Sequence, residues 1–165
     1  PLLIALDSPE SVSYLTAEQV EAAGGADLLW DKAFSNLIAA GPGKPEEFTA
    51  EGGSFLVFET ESVYQASWIA CMDKFVESLG YTPGPLGALV TIPATNMLCL
   101  HLVSEATSIE DIKAMLMFAG TVHSQHPSPL TPLLYWWNGN TVENISSNEG
   151  EDVNLYLPDE LLSVL

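Results

Sequence analysis

The apolar residues of this chain fall in short blocks, and the spacing within the blocks switches between the two-residue period of strands and the 3.6-residue period of helices. Leu2 to Leu6 is an apolar run of strand length, predicted to be a short buried strand that Asp7-Ser8-Pro9 breaks. Thr16-Ala17-Glu18-Gln19 is a capping box, with Leu15 and Val20 at the flanking staple positions, and the short helix it opens is expected to stop at Gly24-Gly25. Between Asp27 and Ala40, Leu29, Ala33, Phe34, Leu37 and Ile38 form a helical stripe closed by Gly41-Pro42-Gly43.

Residues 41–53 are polar and acidic, with Glu46, Glu47 and Glu51, and read as a long loop and a possible seam within a single domain spanning residues 1–165. Beyond them Ser54 to Glu59 reads as a strand. Ser62 to Leu79 reads as a long helix with Tyr64, Trp68, Cys71, Met72, Phe75 and Leu79 on one face. Ala88 to Ile92 and Met97 to Val103 are expected to pair as a hairpin, and Ser108 with Asp111 three residues on caps a helix that fades near His123. Leu133 to Trp137 and Thr141 to Ile145 flank Asn138-Gly139-Asn140, a strong hairpin signal. Ser147 to Asp152 reads as an acidic loop, Asn154 to Leu157 as a last strand, and Pro158 as the opening of a short helix over Asp159 to Leu165. The irregular alternation and the terminal hairpins predict an α+β fold, a mostly antiparallel sheet with helices packed on it.

Composition changes the picture through charge. The 165 residues include 22 Asp and Glu, four Lys (Lys32, Lys44, Lys74, Lys113) and no Arg, for a net charge of −18. Nucleic-acid binding and anionic membranes both call for Lys and Arg, so neither is an expected partner; a basic protein or a cation is. Solubility alone asks for a net charge of only about 2–8 in a small domain. With 47% apolar residues the chain can bury a sizeable core. Its longest apolar stretch, Ile112 to Val122, contains Lys113 and Gly120 and falls short of a membrane span. The opening Pro1 to Asp7 lacks the basic start of a signal peptide, and Cys71 and Cys99 in apolar surroundings read as free buried thiols, so a cytoplasmic location is expected.

Candidate chemistry is sparse. Serine-hydrolase, β-lactamase and phosphate-cradling motifs are all missing from the sequence, and no enzyme activity, cofactor or metal is expected. His101 lies in an apolar strand, on the face opposite Leu100 and Leu102, and reads as a sheet-surface residue; His123 and His126 suit a helix C-terminus. The carboxylate pairs Glu46/Glu47, Glu59/Glu61, Glu110/Asp111 and Glu151/Asp152 arise readily in so acidic a chain, and Asn148 to Asp152 lacks the ligand order of an EF-hand. Trp136 and Trp137 are adjacent strand residues facing opposite sides: either one is an exposed interface anchor or helices cover both faces.

Several segments carry a resemblance. Leu3 to Thr16 (Leu-Ile-Ala-Leu-Asp-Ser-Pro-Glu-Ser-Val-Ser-Tyr-Leu-Thr), then Leu28-Leu29 with Ala33 and Asn36-Leu37, resembles an uncharacterised bacterial family of unknown function. Ser67-Trp68-Ile69, Ile92-Pro93, and Ser128-Pro129-Leu130-Thr131-Pro132 with Tyr135 extend the likeness over roughly Leu2 to Asn138. It implies a small α+β fold and supplies no catalytic residues; the lack of Arg and the acidity depart from it. In kind, small acidic α+β proteins also resemble bacterial immunity proteins, which neutralise a basic toxin such as a nuclease or an NAD-consuming enzyme. The expected function is therefore an immunity protein that occludes a basic toxin's active site. The residues expected to bind are Glu46, Glu47, Glu51, Glu149, Glu151 and Asp152, with Trp136 or Trp137. The rivals are an adaptor domain for a basic cellular protein and an enzyme using carboxylates or a divalent cation.

Overall fold

The computed structural model describes residues 4–8, 11–149 and 152–165. The chain divides at Gly41/Pro42 into two compact units, residues 1–41 and 42–165. In the first, β1 (Ala5–Ser8) and β2 (Ser11–Tyr14) form an antiparallel hairpin. Leu6 is exposed, so the expected buried strand is instead one arm of a two-stranded ribbon; Leu2 and Leu3 lie outside the described residues. Helix α1 (Ala17–Ala22) starts with the predicted box, the Thr16 hydroxyl accepting from Gln19 N–H and the Gln19 side chain accepting from Thr16 N–H. Helix α2 (Ala26–Ala40) follows, with Trp30 and Phe34 stacked along it.

The second unit is built on a six-stranded antiparallel sheet. In chain order its strands are β3 (Glu46–Ala50), β4 (Gly53–Glu59), β5 (Ala88–Thr91), β6 (Met97–Leu102), β7 (Leu134–Trp137) and β8 (Val142–Asn144). Their spatial order is β3-β4-β6-β5-β7-β8. The fold is α+β with mostly antiparallel sheet, as the sequence pattern indicated. A separate hairpin, β9 (Ser146–Glu149) with β10 (Asp152–Leu155), replaces the expected acidic loop, and α5 (Asp159–Leu162) ends the chain after Pro158.

Both faces of the central strands are covered. On one face Phe55, Val57, Leu89, Cys99, Leu134 and Trp136 pack with Ile112 and Met115 of α4 (Ile109–Gln125). On the other, Phe58 meets Phe75 edge-on at 4.9 Å between ring centroids, and Phe75 lies 5.5 Å from Trp68. Trp68 and Phe75 come from the segment expected as one long helix, which is split into a 3-10 helix (Gln65–Cys71) and α3 (Met72–Ser78). The split has its cause in the backbone hydrogen bonding. Ala66 N–H is committed to the Thr95 carbonyl, Ser67 N–H bonds three residues back to Tyr64, and Cys71 leaves the helical region at φ −142°, ψ 53°.

The stretch expected as a loop over 41–53 contains β3, paired with β4 through Glu46↔Val57, Phe48↔Phe55 and Ala50↔Gly53. The hydrophobic alternation of β3 is short, with Phe48 and Ala50 flanked by glutamates, which is why the pattern hid it. Phe48 earns the strand its place by packing on Phe55 at 5.1 Å and on Phe118 at 4.7 Å. The two strands are joined by Glu51 (φ 51°) and Gly52 (φ 89°), a pair of left-handed residues matching a type I′ hairpin turn. A glutamate in that first position is strained relative to Asn. Replacing Glu51 by Asn is expected to stabilise the second unit by about 0.5–1 kcal/mol, read as an upward shift of the urea midpoint. At Gly87 (φ 64°) a Cβ would run into the Trp137 carbonyl. Gly87→Ala is therefore expected to cost more than about 2 kcal/mol in the same assay.

Candidate functional site

Because helices cover the sheet faces, the carboxylates are carried on its rim. Glu46 and Glu47 are exposed on β3, an edge strand, and Glu51 is exposed at the turn that follows. Glu46 pairs with Val57 and so points to the α4 side of the sheet; Glu59, two residues beyond Val57, points the same way. At this corner Lys44, Glu46, Val57, Glu59, Thr60, Glu61 and Asn96 line a cleft of about 440 Å³. Asn96 is fixed there by two contacts: its carbonyl accepts from Thr60 N–H, and its side-chain amide lies 3.4 Å from the Glu59 carboxylate. The cleft can offer a cationic group three carboxylates, while Lys44 offsets part of their mutual repulsion.

Glu149 is exposed on β9 and Asp152 begins β10, opposite it in the hairpin; Glu151 lies outside the described residues. This hairpin leaves β8 at Ile145, on the far side of the sheet from β3. Five interstrand spacings separate β3 from β8, roughly 24 Å. The expected acidic residues are thus in two groups, one on β3 and its turn and one on the separate hairpin, and of them only Glu46 lines the cleft. Glu59 and Glu61, which the sequence offered only as one carboxylate pair among four, join Glu46 because the β3–β4 register sets it beside the end of β4, where Glu59 stands and Glu61 follows.

The tryptophans correct an expectation. Trp136 and Trp137 are 6% and 5% exposed, so neither is free to anchor a partner. Trp136 is in the α4-side core with its indole N–H donated to the Leu86 carbonyl at 2.8 Å, and Trp137 faces the opposite layer. Adjacent strand residues do point to opposite sides, but here both sides are covered.

His101 is also not on an open surface. Its Nδ1 lies 2.8 Å from the Ser54 carbonyl, which can only accept, so that nitrogen carries a proton; Nε2 lies 3.0 Å from the Thr107 hydroxyl. Next to it, buried Asp111 accepts from Ser54 N–H at 2.8 Å, Ser108 N–H at 2.8 Å and the Ser108 hydroxyl at 3.0 Å. Burial alone would raise the Asp111 pKa, but these hydrogen bonds and nearby His101 outweigh it and hold the carboxyl below its ordinary range. Every oxygen is occupied in fastening the start of α4 to β4, so the pair is a structural clasp. The thiols are inert for a related reason. Burial pushes Cys99 up to about 12 against the opposing Thr91 hydroxyl, and burial with nearby Asp73 pushes Cys71 up to about 11. Among the described residues no group of three His, Cys, Asp or Glu is placed to hold a metal ion.

No family model, curated protein or solved structure matches this chain. Among the described residues no helix is long and apolar enough to cross a membrane. The geometry therefore has to carry the functional argument, and it points to the carboxylate-lined corner formed by β3, β4 and Asn96.

The clasp can be tested by stability. Asp111→Ala leaves two backbone donors without their acceptor and is expected to cost about 2–4 kcal/mol in urea unfolding. Because the folded-state pKa is depressed, this contribution is complete above the unfolded value near pH 4. The part of it linked to ionisation is lost as pH falls through the lower folded value, so the gap between the wild-type and variant midpoints should narrow at strongly acid pH.

Proposed function

We propose that this protein is an acidic binding protein, an immunity protein that inhibits a basic bacterial toxin enzyme in the cytoplasm by covering its active site. The observation that carries the reading is the joint placement of Glu46, Glu59 and Glu61 around one corner of the sheet, with Glu47 and Glu51 exposed further along the same edge strand and its turn, in a chain of net charge −18 with no Arg. A cationic catalytic cleft, of the kind a nuclease or an NAD-consuming enzyme uses to hold phosphates, is the complementary surface. The field of the whole chain steers such a partner in, and the corner supplies the contacts. The footprint is narrower than the sequence suggested. It omits Trp136 and Trp137, which are buried, and leaves Glu149 on a separate hairpin.

The experiment is affinity purification of the tagged full chain from its native host at low salt. A toxin domain whose activity the protein abolishes is the expected co-eluting species. Association should slow at least tenfold between about 50 and 300 mM salt, and slow again in Glu46→Lys/Glu47→Lys. A housekeeping protein in place of a toxin supports the adaptor reading, and substrate turnover by the purified chain alone overturns both.

A further inference from the structure

The β3 edge has a second property besides charge. Ala50 and Gly53 close the two-residue turn and form a hydrogen-bonded pair, so Phe48↔Phe55 and Glu46↔Val57, at every second position, are hydrogen-bonded pairs too. Glu47 and Thr49 then occupy the alternate pairs, with their N–H and C=O groups directed away from β4 along the open edge. We propose that this edge receives an extended segment of a basic partner as a seventh strand. Two successive Lys or Arg residues of that segment would be matched to Glu46 on one face and Glu47 on the other. The inference rests on the basic-partner reading above and adds the mode of attachment.

Three features support it. Side chains alternate across the sheet, so Glu46 lies on the α4 side and Glu47 on the opposite one; consecutive residues of an added strand alternate in the same way. The cation beside Glu46 adjoins the cleft of Glu59, Glu61 and Asn96, which takes the head group of a long side chain while its stem lies along Val57. The strand is also braced from behind: Phe48 is locked between Phe55 and Phe118, so the edge is presented without being ordered on binding. A second copy of this chain is a poor occupant, since it would bring two chains of net charge −18 each edge to edge. Edge carboxylates can also serve merely to deter aggregation, and the test is designed to separate that role from reception of a strand.

The probe is the capped peptide Thr-Val-Arg-Arg-Val-Thr, titrated against the full chain at low salt, with two analogues N-methylated at alternate residues in opposite phases. Strand addition requires the amides of one phase only. One analogue is therefore expected to bind at least about tenfold more weakly while the other matches the parent. Exchange of the Glu47 and Thr49 amides should slow when the parent peptide binds. Thr49→Pro removes an outward donor without touching the β3–β4 ladder, and should weaken the parent peptide by a similar factor. If both N-methylated phases bind as well as the parent, the attraction is charge alone and strand addition is overturned while the basic-partner reading stands. If a Gln-Gln peptide binds as well as Arg-Arg, both readings fall. A Glu46→Gln/Glu47→Gln variant that self-associates on sedimentation and still binds the parent peptide unchanged assigns the glutamates to edge protection, and overturns the proposal.

Discussion

The six-stranded sheet is covered on both faces, and most of what is distinctive in the second unit follows from that constraint. Fully buried Leu89, Leu98, Leu100 and Leu134 leave the central strands no exposed face on which a charge could sit. Burying an unpaired carboxylate is costly, so a chain with 22 of them must place them on edges, turns and outer helix surfaces. The acidic corner at β3 and the separate acidic hairpin of β9 and β10 are where the fold has room for them. Asp111 is the exception that tests the rule. It is buried, and each of its oxygens is satisfied by donors from Ser54 and Ser108.

That clasp links the two physical requirements of the core. α4 must lie on the sheet with its N-terminus against β4, and Gly53 permits the approach, since a Cβ there would meet the Glu110 carbonyl. The Asp111 carboxylate then acts at once as the capping-box acceptor of α4 and as a bridge to the β4 backbone. His101 completes the join from β6, which explains a polar residue in an otherwise apolar strand without invoking catalysis.

The binding reading depends on rigidity as much as on charge. Glu46 and Glu47 sit on a strand pinned by an aromatic cluster, and Asn96 is tied to Thr60 and Glu59. A carboxylate held in place adds complementarity to the long-range steering that net charge supplies in any case. The inert thiols and the closed polar network around His101 leave this corner as the place where the chain presents organised, accessible chemistry among the described residues.

Local signals were legible wherever short-range chemistry sets structure. The Thr16 and Ser108 capping boxes, the Asn138-Gly139 hairpin and the strands over β4 to β7 all stand where the residue pattern put them. The acidity and the lack of Arg were likewise set by sequence alone. Tertiary structure decided whatever depended on partners distant in the chain. β3 is a strand because Phe48 meets Phe55 and Phe118, seven and seventy residues away, a reward no local window contains. The predicted long helix is split because Ala66 bonds to Thr95 instead of within its own segment. Trp136 and Trp137 are both buried because two separate helical layers converge on one sheet, and period-two alternation says only that they part. The site has the same origin: Glu46, Glu59 and Asn96 become neighbours through strand register, which fixes the faces of the sheet only once the strands have found each other.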